Sequence, residues 1–188
     1  LKQIPIVSSE NITREPRTSE FRNYLAELPK EAAVFLLFGE QDIRTVIPFL
    51  LRQKNLSLEE ALEQIYQSYK AMLREIHQLR PDLILAWIIP PPPGTGMKPH
   101  PRFMASKVLT DEVYYHFLAT QEERRIYAKA FEKLLQDKLS VPLINIWPKI
   151  LKNEASLEVQ EHFLRDDSHL QNVKSIYEEE IHQQLGLQ

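Results

Sequence analysis

Four short segments of the chain are rich in β-branched and other apolar side chains and lie between residues that favour turns. They predict buried strands, at residues 4–7, 33–38, 83–89 and 141–146. The third segment runs directly into consecutive prolines that begin at Pro90. Because proline lacks a backbone donor for a strand ladder, a loop is expected to follow.

Segments with apolar residues at helical spacing separate these strands. They predict helices, at residues 19–28, 58–79, 120–135 and 168–181. The last three helices begin with capping-box sequences, at residues 57–60, 120–123 and 168–171. Such alternation predicts an α/β fold, with a mainly parallel sheet covered by helices on both faces in three layers. Functional groups of these folds gather beyond the carboxyl ends of the strands.

The amino-acid composition and net charge of the chain exclude several classes of function. The 188 residues, 43% hydrophobic and 26% charged, fit a single domain over residues 1–188. A net charge of −3 without a basic stripe argues against a nucleic-acid partner. The lack of cysteine excludes disulfides, thiolate metal sites and cysteine nucleophiles. No apolar stretch is long enough for a membrane span, so we expect a soluble protein, with the cytoplasm favoured.

Asp166 and His169 are three residues apart, just before and at the start of the last predicted helix. A carboxylate that orients an imidazole produces a general base. From the residues alone, Asp166 could instead cap the helix and His169 could lie on the surface. A metal site with His162 is a further alternative, since the three are spaced four and three apart. Arg165 and the capping box argue against the continuous helix that this site would need.

Three motifs in a fixed order carry a family resemblance. The sequence Phe-Gly-Glu-Gln-Asp at residues 38–42 ends one strand, a proline-rich turn at residues 90–92 ends the next, and Asp-Asp-Ser-His-Leu follows at residues 166–170. This order resembles the SGNH (GDSL-type) hydrolases, where a strand ends in Gly-x-Asn-Asp and a late Asp-x-x-His precedes the last helix. The Gly-Glu-x-Asp form resembles one subgroup of that family. The resemblance implies a flavodoxin-like α/β/α architecture.

The resemblance also implies a site. His169 would be the general base, Asp166 would orient it, and Gly39 and Gln41 would bind the oxyanion of the substrate. Gln41 stands where the family has asparagine, so its amide lies one methylene further from the backbone. The activity implied is hydrolysis of an O-acyl (acetyl) ester of a small molecule or glycan, without cofactor or metal. From the residues alone, Gly39 could simply form a tight turn, and Asp42 could cap a helix or pair with Arg44.

The nucleophile is the main departure from the family. Its Gly-Asp-Ser segment does not occur in this sequence, and by topology residues 4–7 resemble the family's second strand. Ser8 and Ser9 follow that strand and are weak candidates, although turn or cap roles suit them as well. Because the sequence begins at Leu1 rather than methionine, we expect an upstream segment with the first strand and the serine. The alternative is an inactive binding or scaffolding module.

Overall fold

The structure is a computed structural model that describes residues 17–90, 92, 119–163 and 171–186. Several sequence-based predictions fall outside these residues. They concern the strand at residues 4–7 and the side chains of Ser8, Ser9, Asp166 and His169.

A parallel sheet lies at the centre of the described part of the chain. Its strand order is β1 (Ala33–Leu37), β2 (Ile84–Ile88) and β3 (Leu143–Ile144). Both pairings are parallel, so the three carboxyl ends lie at one edge of the sheet. The predicted α/β character and parallel pairing are thus confirmed, while β3 is shorter than expected. Pro142 cannot donate to a neighbouring strand, and the Asn145 side chain accepts the Trp147 amide, which ends the strand early.

Helices follow the strands largely where the hydrophobic spacing predicts them. Within the described ranges they include α1 (Arg17–Glu27), α2 (Ile47–Gln53), α3 (Leu58–Leu79) and α4 (Gln121–Lys138). The capping boxes of α3 and α4 are both confirmed. The side chains of Ser57 and Thr120 accept the amides of Glu60 and Glu123, and each glutamate bonds back to the amide of its cap residue.

The main hydrophobic core lies between β1, β2 and the helices α1, α3 and α4. Trp87 and Phe131 are completely buried in it. The prediction of fully buried strands is only partly right, because Leu37 is 49% exposed and Ile84 is 41% exposed. Leu37 lies on β1, which is an edge strand of the sheet. Successive side chains of a strand point to opposite faces, so Leu36 faces the core and Leu37 faces away from it.

A second, smaller core follows β3. It is formed by Ile146, Ile150, Val159 and Phe163, with Val173, Ile176 and Tyr177 packed against it. The elements around it are α5 (Trp147–Ile150), a two-stranded antiparallel sheet of β4 (Leu151–Asn153) and β5 (Glu158–Val159), a 3₁₀ turn (Glu161–Phe163) and α6 (Lys174–Leu185). We name this group of buried side chains the second cluster.

The predicted start of the last helix is wrong. Helix α6 begins at Lys174, and residues 171–173 are not helical. Asn172 has a left-handed backbone with φ of 57°, and the side chains of Gln171 and Asn172 both donate to the His162 carbonyl. These contacts hold the chain in a turn, so the capping-box sequence at residues 168–171 does not begin the helix. Among the described helices, none has the length and apolar character needed to cross a bilayer.

Candidate active site

The turn after β1 is built around Gly39. Its φ is 111°, a conformation that side chains with a β-carbon rarely adopt. A β-carbon at this position would lie 2.4 Å from Cε1 of Phe131 and 3.2 Å from Cγ of Pro90. Glycine is therefore required both for the backbone conformation and for the close approach of α4 and the end of β2.

A π-helical turn (Asp42–Val46) begins three residues after Gly39, and the intervening Glu40 and Gln41 are helical. The Ile43 amide donates to the Gly39 carbonyl over 2.8 Å, which ties the turn to the end of β1. Three polar residues in it are almost completely buried, namely Asp42, Arg44 and Thr45. Single π-helical turns are rare and often occur at functional sites. The carboxyl end of β1 thus carries an unusual concentration of buried polar groups.

Gln41 is held by its own helical turn. Its side-chain Nε2 donates to Oγ1 of Thr45 over 2.8 Å, and this hydroxyl donates to the Gln41 carbonyl over 2.9 Å. A glutamine amide has two N–H groups. One of them is therefore committed to Thr45, and only the other could serve a substrate oxygen.

Side-chain partners hold two charged residues of the turn, Arg44 and Asp42. Arg44, with a side chain 5% exposed, forms an ion pair with Glu40, and the carboxylate of Asp42 accepts a hydrogen bond from Tyr69. Asp42 is the first residue of the π-helical turn and not its cap. The Arg44 carbonyl also accepts the Ala119 amide over 2.9 Å, which links this turn to the start of α4.

Hydrogen bonds also join the ends of β2 and β3. The Trp147 indole donates to the Pro90 carbonyl over 3.0 Å, and the Trp147 amide donates to Oδ1 of Asn145 over 3.0 Å. Asn145 in turn donates to Oε1 of Glu132 on α4 over 2.7 Å. Burial raises the pKa of Glu132, which the hydrogen bond from Asn145 partly opposes. Pro90 also contacts the Gly39 position. The residues that follow β1, β2 and β3 are therefore in contact with one another, and we call them the rim of the site.

The segment with Asp166 and His169 lies outside the described residues, but both of its ends are described. The Gln171 amide donates to the Phe163 carbonyl over 2.8 Å, so the two described residues that flank this segment are in contact. Phe163 packs in the second cluster beside Ile146, which follows β3 directly. The base of this segment is therefore anchored close to the carboxyl end of β3.

Tyr69 is a polar residue of this region that lies within the apolar helical spacing of residues 58–79. Its hydroxyl reaches Asp42 from the middle of α3. A tyrosine in such a stripe is usually a core residue. The one available signal was a hydroxyl within the buried face of the helix, since a buried hydroxyl needs a partner.

Two observations limit the chemistry of the described residues. No serine in them follows the carboxyl end of β1, β2 or β3. They also contain no group of three histidine, aspartate or glutamate side chains arranged as metal ligands.

Comparisons with known proteins assign no family. No family model matches the sequence, and no curated protein matches it. One solved structure that aligns with the chain is reported as "a putative platelet activating factor from Streptococcus pneumonia". The two are 17% identical, with a TM-score of 0.44. The alignment covers 82% of this chain and 58% of the other, so this chain spans less than two thirds of that protein.

Proposed function

We propose that the chain is an SGNH-type serine esterase that hydrolyses an O-acyl ester of a small molecule or glycan. In this proposal residues 1–188 form one flavodoxin-like, three-layer domain. The observation that carries it is the turn at Gly39, where a glycine pressed against Phe131 and Pro90 precedes buried polar residues at the carboxyl edge of a parallel sheet.

The proposed mechanism begins with proton transfer. His169, oriented by Asp166, removes the proton from a serine hydroxyl as the oxygen attacks the acyl carbonyl. His169 then returns the proton to the leaving alcohol. Water attacks the acyl-enzyme, and the same imidazole accepts a proton from it and returns it to the serine as the acid leaves. The Phe163–Gln171 hydrogen bond supports this role, because it anchors the ends of the histidine segment near the strand ends.

In the proposed mechanism, the turn after β1 stabilises the oxyanion. The Gly39 backbone amide and the second side-chain N–H of Gln41 are the proposed donors. The bond to Thr45 holds the longer side chain in one position, which compensates for the extra methylene. A donor fixed in advance is what this role requires, since it then needs no reorganisation as charge develops.

The nucleophile is Ser8, Ser9 or a serine upstream of Leu1. A second candidate function, an inactive binding or scaffolding module, is favoured by one observation. No serine in the described ranges follows the carboxyl end of a strand of the parallel sheet.

The test is hydrolysis of short-chain nitrophenyl esters by this chain and by a form extended upstream. The esterase proposal predicts activity that is lost in His169→Ala. The matched control is His182→Ala, since His182 is exposed on α6 and has no proposed role. A serine-directed fluorophosphonate, followed by mass spectrometry, identifies the nucleophile. If neither form hydrolyses an ester or reacts with the phosphonate, the esterase proposal is wrong and the binding module replaces it.

A further inference from the structure

The proposed mechanism does not use the hydrogen bond between Tyr69 and Asp42. The Tyr69 hydroxyl donates to Oδ2 of Asp42, across 27 residues of sequence. Both residues are completely buried. A carboxylate removed from water is costly unless donors compensate it, and the Tyr69 hydroxyl is such a donor to Asp42.

The ring of Tyr69 lies among the elements that form the rim of the site. It meets Trp87 of β2 edge-on at 4.7 Å, and the centroids of Phe38 and Phe131 lie 6.0 Å and 6.1 Å away. Phe38 immediately precedes Gly39, and Phe131 is the side chain that closes over it. Tyr69 therefore cannot shift without moving the packing on both sides of the Gly39 turn.

In the hydrogen bond between Tyr69 and Asp42, the tyrosine hydroxyl is the donor. Burial, together with the nearby charge and hydrogen bond of Asp42, raises the pKa of Tyr69 well above its ordinary value. The hydroxyl therefore keeps its proton at neutral pH and donates to the carboxylate. Asp42 is also the first residue of the π-helical turn, which the Ile43 amide fastens to the Gly39 carbonyl.

We propose that Tyr69 is a positioning residue for ester hydrolysis, which acts through Asp42 to hold the Gly39 turn in its oxyanion-binding geometry. The inference rests on the proposed function, because it needs a reaction in which Gly39 and Gln41 meet developing charge. Tyr69 itself touches no substrate atom. Its contribution is to keep the donors of the turn fixed, and a displacement of about 1 Å there costs as much as a hundredfold in rate.

The first test is Tyr69→Phe, which keeps the ring and removes only the hydroxyl. The expected result is a fall in kcat of about tenfold or more, with KM changed less than about twofold. The matched control is Tyr66→Phe on the same helix, which removes a hydroxyl bonded to the Lys138 carbonyl on the exposed face. This control is expected to keep the wild-type kcat. Equal kcat values in the two variants would overturn the inference while the esterase function stands.

A second variant separates positioning from stability. Tyr69→Phe removes the Tyr69 hydroxyl as a donor to the buried carboxylate of Asp42, whereas Tyr69→Phe combined with Asp42→Asn removes the buried charge as well. The double variant is expected to regain unfolding stability, measured in urea, but not kcat. If kcat returns together with stability, the role of Tyr69 is structural and the inference is wrong. If neither the wild type nor the upstream-extended form reacts with ester or phosphonate, the esterase function and this inference fail together.

Discussion

Gly39 lies where β1 ends, and the space beside its α-carbon is filled by Phe131 and Pro90. Gly39→Ala would place a methyl group 2.4 Å from an atom of a completely buried ring, in a backbone conformation with φ of 111°. The clash with Phe131 and the backbone strain both destabilise the fold, so we expect the unfolding free energy to fall by about 2–4 kcal/mol. We also expect ester hydrolysis to be lost, because the turn must move to accommodate the methyl group. Urea unfolding and the nitrophenyl assay measure the two effects.

Gly186 provides the matched control for this prediction. It also has a positive φ, of 62°, but a β-carbon there would meet nothing within 4 Å. Gly186→Ala therefore isolates the backbone cost, about 1 kcal/mol, and should leave hydrolysis intact. If the two alanine variants lose equal stability, the close contact with Phe131 is not what requires glycine at position 39.

Arg80 joins the end of α3 to the end of α1. Its guanidinium donates to the carbonyls of Leu25, Leu28 and Pro29 over 2.6–3.0 Å and to Asp82 over 2.8 Å. The last carbonyls of a helix have no partner within the helix. The carbonyls of Leu25 and Pro29 otherwise accept only backbone amides at 3.3 Å, so Arg80 adds shorter bonds at the end of α1.

Arg80→Ala is expected to lower the urea midpoint more than Arg22→Ala does. Arg22 links the same two helices through an ion pair with Glu75, but its side chain is 50% exposed. Part of the difference should depend on pH. The hydrogen bond from Arg80 holds the pKa of Asp82 well below its usual value, so this contribution is present above pH 3.8 and lost as pH falls further. The urea midpoints of the two variants are measured from pH 7 to pH 3. If Arg80→Ala and Arg22→Ala have equal midpoints throughout, the predicted larger role of Arg80 is wrong.

Local signals explain which elements were predictable from the sequence. Strands β1 and β2 and the starts of α3 and α4 follow from hydrophobic period and capping boxes, which involve residues close in sequence. The start of α6 was wrong because Gln171 and Asn172 bond back to the 3₁₀ turn, and this competes with their helical preference. The Tyr69–Asp42 bond was missed because neither residue reveals it without the fold. The roles of Asp166 and His169 stay predictions.

The buried hydrophobic side chains of the described residues form two clusters, and Leu151 packs against both. The main core joins α1, α3 and α4 to the sheet, whereas the second cluster holds α6 and the 3₁₀ turn. Lys149 adds ion pairs to Glu179 and Glu180 at 3.2 Å, which fasten α6 beside α5. The proposed histidine segment is thus anchored by the smaller cluster, while the Gly39 turn is anchored by the larger one.

Parts of a protein with different hydrophobic cores can open at different free energies. Ile150 and Ile76 are both completely buried, one in each cluster, so the two Ile→Val changes form a matched pair. Each should cost about 1 kcal/mol of local stability. Ile150→Val is expected to speed amide hydrogen exchange in Lys174–Leu185 and leave Leu58–Leu79 unchanged, whereas Ile76→Val should speed exchange in both. Equal acceleration of both helices by Ile150→Val would mean that the clusters open as one unit. If α6 opens locally while the main core stays folded, the proposed esterase function predicts that ester hydrolysis fails on heating before α3 unfolds.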